Sequence, residues 1–127
     1  MGEAWIIDAA RTPRAIGKQG KGALWEIHPQ KLLSTVLSAL VERNGLDTND
    51  IDDVVMSCSS QVKKQAQCIA RMAALDAGYS TRASGVTLDR FCGGGISAVN
   101  MGAASVMSGM EDLVVAGGVE MMSYVAA

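Results

Sequence analysis

Apolar residues along this chain form short runs separated by glycine and charge, with one long stretch at helical spacing. Residues 3–9 (EAWIIDA), apolar at Trp5, Ile6 and Ile7, predict a first strand. Arg11-Thr12-Pro13-Arg14 ends it, because Pro13 also restricts Thr12, and Gly17, Gly20 and Gly22 predict a flexible connection. Leu32, Leu33, Val36, Leu37, Leu40 and Val41 then fall on one helical face. Pro29 suits the first position of that helix and Asn44-Gly45 supplies a left-handed stop. Residues 54–57 predict a second strand. Residues 65–77 predict a second helix, with Ala66, Ile69, Ala70 and Ala73 inward and Gly78 closing it. A third strand is expected at 85–88. A third helix follows at 94–109, burying Ile96, Val99, Ala103, Val106 and Met110. Residues 112–116 (DLVVA) predict a fourth strand, followed by Gly117-Gly118 and no further helix.

The resulting order, β-α-β-α-β-α-β, has strands too apolar to be exposed on one side. It predicts an α/β fold with a mostly parallel central sheet and helices on both faces. The expected domain is residues 1–127, a single unit that ends after its fourth strand and reads as cut there. Composition narrows the class further. With 49% hydrophobic and 19% charged residues, the chain is not a disordered one. Its apolar runs are too short to span a bilayer. Eleven Lys+Arg against thirteen Asp+Glu give a net charge of −2, with no basic stripe suited to nucleic acid. Met1-Gly2-Glu3-Ala4-Trp5-Ile6 carries no signal peptide. Three cysteines (Cys58, Cys68 and Cys92) without an export signal read as reduced thiols, so a cytoplasmic location is expected.

The chemistry concentrates at Leu88-Asp89-Arg90-Phe91-Cys92-Gly93-Gly94-Gly95-Ile96-Ser97-Ala98. Cys92 falls between a strand end and a helix start, where unpaired N–H groups and the helix dipole favour a thiolate. The three following glycines remove every Cβ beside the sulfur and leave room for a substrate. The same N–H groups suit an oxyanion formed when the thiolate attacks a carbonyl. The competing reading is a small buried cysteine without chemistry. A second competitor takes Gly93-x-Gly95-x-x-Ala98 with Glu120 as a dinucleotide fingerprint, although it stands in the third βα turn rather than the first. His28 reads as a residue of a helix start rather than a base. Cys58 reads as packing, and no metal-ligand spacing is present. Met101, Met107, Met110, Met121 and Met122 read as fillers of core gaps or subunit contacts.

Taken together, these stretches resemble the N-terminal part of a thiolase. Ala9-Ala10-Arg11-Thr12-Pro13 is similar to that family's opening motif. Residues 69–75 (IARMAAL) with Ala77-Gly78 are similar to its second helix. Cys92-Gly93-Gly94-Gly95 with Ala98-Val99 is similar to its acyl-enzyme signature, and residues 109–123 (GMEDLVVAGGVEMMS) form the most specific match. The resemblance implies an acyltransferase in which Cys92 takes an acyl group from acyl-CoA and its backbone N–H helps hold the oxyanion. A 3-ketoacyl-CoA is then made or cleaved by Claisen chemistry. Gly93, Gly94, Gly95 and Cys68 become substrate-pocket candidates. The resemblance implies no metal and no cofactor, coenzyme A entering as part of the substrate. It also implies a homodimer or homotetramer, or a companion chain supplying a C-terminal half. The activating histidine, the second cysteine and a further oxyanion glycine are expected beyond residue 127, so the 127-residue chain alone is expected to be inactive. Two alternatives stand beside it. One is a non-catalytic subunit half. The other is a β-ketoacyl synthase-like enzyme, against which Arg11-Thr12-Pro13 and residues 117–123 argue. Five positions depart from the family pattern: Asp89, Cys68, Lys63-Lys64 and Gly94, where Ser or Thr is usual. Loss of that side chain predicts a looser loop behind the nucleophile.

Overall fold

The computed structural model describes residues 2–125. Helix α1 spans Pro29–Asn44, strand β1 Asp53–Ser57, helix α2 Ile69–Asp76, strand β2 Val86–Leu88, helix α3 Gly94–Ser108, strand β3 Val114–Gly118 and helix α4 Met122–Val125. Short 3-10 turns at Thr48–Asp50 and Lys63–Gln65 precede β1 and α2. The three strands form one parallel sheet in the order β2-β1-β3.

Right-handed crossovers in such an order put α2 and α3 on opposite faces, and the side chains agree. Val54 and Met56 of β1 and Val115 of β3 belong to a buried cluster with Leu33 and Leu37 of α1, Ala70, Ala73 and Ala74 of α2, and Tyr79. The Tyr79 hydroxyl donates to the Leu37 carbonyl at 3.0 Å, tying the turn after α2 to the middle of α1. On the other face, α3 lies on Ser57, Val114 and Ala116. The predicted α/β sheet with helices on both faces is therefore what folds.

Local signals located α1 well. His28 caps it through Nδ1, which accepts from the Gln30 N–H at 3.2 Å; Pro29 is its first residue and Gly45 ends it at φ 58°. That is the helix-start role expected of His28. Gly78 closes α2 at φ 81°.

Four expectations are corrected. Residues 3–9 form no strand, so the order begins with α1. Trp5, Ile6 and Ile7 are 70–82% exposed, and a strand exists only through a partner's N–H and C=O groups, which no neighbour among the described residues offers. The segment is held instead at Asp8, whose carboxylate accepts from Arg43 Nη2 at 2.9 Å and Asn44 Nδ2 at 2.8 Å at the end of α1. The Asn44 hydrogen bond first, then that from the Ala9 N–H, and last the Arg43 charge hold the Asp8 carboxyl below its usual range. Helix α2 begins at Ile69, because residues 63–65 take a tighter turn first. The last strand is Val114–Gly118 and includes Gly117-Gly118, and the short helix α4 follows it.

The fourth correction concerns the inner face of α3. Its buried residues are Gly94, Ala98 and Gly102, while Ile96 and Met110 are more than 70% exposed. The helix reaches the sheet by lacking side chains: a Cβ on Gly102 would lie 3.0 Å from Val114 Cγ1 and 3.5 Å from the Ala116 Cβ.

Candidate active site

The three strands point the same way, so the loops after them meet at one end of the sheet. That is where open α/β folds place their ligands. Cys58 and Ser59 follow β1, residues 89–93 follow β2, and Val119 and Glu120 follow β3.

The loop after β2 turns sharply into α3. The Asp89 carboxylate accepts from the Phe91 N–H at 2.8 Å. Gly93 N–H then donates to the Arg90 carbonyl, and Gly94 N–H to that of Phe91, both at 3.1 Å. Phe91 sits at φ 48°, a left-handed conformation that costs a bulky residue on the order of 1–3 kcal/mol. Two successive reverse turns stabilise it and lift Cys92 to the surface, where the thiol is exposed. Among the described residues, the N–H groups of Gly95 and Ile96 in the first turn of α3 have no protein acceptor. A Cβ on Gly95 would meet nothing within 4 Å, so the approach over that turn is open. An exposed thiol beside the positive end of a 15-residue helix can attack an electrophilic carbonyl and hold the oxygen that becomes negative.

Gly93 caps α3 and Gly94 is its buried first residue. The looser loop predicted at Gly94 is not seen. Ser57 occupies that space, its Oγ 1.7 Å from where a Gly94 Cβ would stand. Cys68 is not brought to this loop. It precedes α2 and donates through Sγ to the Gly85 carbonyl at 3.3 Å, and Thr87 Oγ1 donates to Cys68 Sγ at 3.6 Å. Thr87 pairs with Met56 and therefore shares the α1/α2 face of the sheet. Cys58 is buried, as expected of a packing residue. Burial first, then the Glu120 and Asp89 carboxylates, push its thiol up to about 11.

Glu120 is not free to act as a ribose-binding acid. Its carboxylate accepts from the Ser59 N–H at 2.8 Å and from Gln65 Nε2 at 3.1 Å. Gln65, fully buried, also donates to the Ser60 carbonyl at 2.9 Å and accepts from the Met121 N–H. This clamp joins the loops after β1 and β3. Nothing in the sequence marked Gln65, because its partners lie up to 56 residues away and no local period connects them. An open concavity of ≈ 540 Å³ lies elsewhere, against Arg14, Ala15, Ile16, Lys21 and Ala23, and Cys92 does not line it.

The profile of the thiolase N-terminal domain matches residues 4–127. The chain belongs to the thiolase family. It is 45% identical over 125 residues to a steroid 3-ketoacyl-CoA thiolase of Mycobacterium tuberculosis, covering 98% of this chain and 30% of that protein. It is 43% identical over 124 residues to a 3-oxoadipyl-CoA/3-oxo-5,6-dehydrosuberyl-CoA thiolase of Escherichia coli, covering 97% of this chain and again 30% of the relative. The fold is that of a solved structure, the acetyl-CoA acetyltransferase of Bacillus anthracis. The TM-score is 0.86 at 37% identity, over 97% of this chain and 30% of that one. The chain thus spans about a third of the length of the thiolases it matches.

Proposed function

We propose that this thiolase segment carries the acyl-accepting step of a thiolase reaction, with Cys92 as nucleophile and an acyl-CoA as donor. In that step Cys92 Sγ attacks the thioester carbonyl carbon and a new S–C bond forms. The bond from carbon to the coenzyme A sulfur breaks, and the proton from Cys92 ends on the departing coenzyme A thiol. The Cys92 N–H and the open first turn of α3 are the donors for the transient oxyanion. The observation that carries the reading is the exposed Cys92 at the sharp turn into α3, raised there by the strained Phe91.

Claisen bond making or breaking needs proton transfer at the substrate's α-carbon, and the resemblance puts the groups for it beyond residue 127. Their absence costs orders of magnitude in rate. The 127-residue chain is therefore expected to accept an acyl group without turning over, and to act as one part of a longer protein or assembly. The exposed Ile96 on α3 and Met110 just after it, together with Trp5, Ile6 and Ile7, favour that second aspect.

The test is incubation of the chain with acetyl-CoA followed by peptide mapping. Acetyl is expected on Cys92 and neither on Cys58 nor on Cys68. Equal labelling of the three thiols, or none on Cys92, overturns the assignment. Steady-state thiolysis of acetoacetyl-CoA by the chain alone would overturn the expectation of no turnover.

A further inference from the structure

Ser57 is the last residue of β1, flanked in the sheet by Leu88 and Gly118, and only 7% of it is exposed. Two glycines leave it its space. A Cβ on Gly94 would stand 1.7 Å from Ser57 Oγ and 2.7 Å from Ser57 Cβ, and one on Gly118 would stand 2.7 Å from the Ser57 carbonyl oxygen. Rotating the Ser57 side chain would move its Oγ away from position 94. The Cβ contact would remain, because that atom is fixed to the central strand. The slot between the end of β1 and the first turn of α3 thus holds one small side chain, and here the strand supplies it.

Gly94 is the first residue of α3 and lies two positions after Cys92, so the depth at which this turn settles on the sheet sets where the thiol stands. We propose that Ser57 is a positioning residue for Cys92. Its side chain seats the α3 N-terminus, and any side chain at position 94 has to be traded against it. The proposal rests on Cys92 being the acyl acceptor, since only then does the depth matter to chemistry.

The experiment compares the wild-type chain with Gly94→Ser and with the exchange variant Ser57→Gly/Gly94→Ser. It measures Cys92 acetylation by acetyl-CoA, Cys92 alkylation by iodoacetamide across neutral to mildly alkaline pH, and urea unfolding. Gly94→Ser is expected to slow Cys92 acetylation roughly tenfold or more, since an ångström of misplacement can cost on the order of a hundredfold. The exchange is expected to bring it back to within about threefold of wild type, a coupling that independent sites do not show. An exchange variant that is folded but as slow as Gly94→Ser overturns the proposal, and so does a Gly94→Ser chain with the wild-type rate. If Gly94→Ser does not fold, the exchange variant decides. Folding with near wild-type reactivity supports the proposal, and failure to fold overturns it. Failure of wild-type Cys92 to take acetyl would instead count against the acyl-acceptor reading, with the alkylation rates still reporting the coupling of Ser57 to position 94.

Discussion

The two faces of the sheet are built by opposite means. On the α1/α2 face, Leu33, Leu37, Val54, Met56 and Tyr79 fill the space with bulk. On the α3 face, Gly94, Ala98 and Gly102 let a helix backbone lie close to Ser57, Val114 and Ala116, with little between them. The first face is an ordinary core whose value scales with the apolar area it hides. The second trades that area for proximity, and it is the one that carries Cys92. A substitution that leaves a hole should therefore hurt the first face most, and one that adds atoms should hurt the second.

The largest expected effect tests the first half of that contrast. Leu37 is fully buried at the centre of the α1/α2 cluster. Leu37→Ala should lower the unfolding free energy by about 3 kcal/mol, within the usual range of about 2–5 for such a truncation. Urea unfolding followed by circular dichroism measures it. A loss below about 1 kcal/mol would mean that this face is not the stabilising core.

The second half is tested at Gly102, whose ideal Cβ lies closer to Val114 Cγ1 than ordinary van der Waals contact and at normal contact with the Ala116 Cβ. Gly102→Ala adds one atom to a tight gap and removes a helix-weakening glycine, so the two effects should nearly cancel. Gly102→Val adds more than the gap can take and should cost about 1–3 kcal/mol. Equal stability of the two variants in urea would show that α3 is free to stand off the sheet, and the contrast between the faces would fall.

The same contrast explains what was legible in the sequence. The α1/α2 face obeys hydrophobic periodicity, so α1 was readable from its leucines, and Pro29 and Gly45 marked its ends. Periodicity misled at α3, because it weighs bulk and the inner face there is defined by missing side chains. The spacing of four between Gly94, Ala98 and Gly102 was the signal available. Cys92 was legible because a cysteine before three glycines at a strand–helix junction is locally unusual, whereas the left-handed Phe91 beside it depends on a turn that only the backbone shows. Residues 3–9 have the short apolar run of a strand, yet pairing is a property of two segments and is not written in one. Ser57 filling the space at Gly94 and Gln65 clamping Glu120 both join residues more than 30 positions apart, beyond the reach of any local pattern.

The smallest effect concerns the groups that titrate from the interior. Burial pushes the Tyr79 phenol, on the α1/α2 face, up to about 12, from its ordinary value of 10.0. Burial and two nearby carboxylates push Cys58, just after β1, up to about 11 from 9.0. Both groups are neutral when protonated, and the unfolded chain ionises them at lower pH than the folded one. Their contribution to stability is therefore complete below pH 9.0 and is lost as pH rises through 11 and then 12. Near the middle of that window the Cys58 part is on the order of 1 kcal/mol and the Tyr79 part is smaller. Urea midpoints should fall as the buffer is taken from neutral into this range. Cys58→Ala should flatten the first part of the fall, and Tyr79→Phe the part that follows. The bulky face should thus carry an alkaline limit of its own, while Gly94, Ala98 and Gly102 on the α3 face have nothing to ionise. A decline that persists unchanged in both variants would place the sensitive groups elsewhere and separate alkaline stability from the difference between the faces.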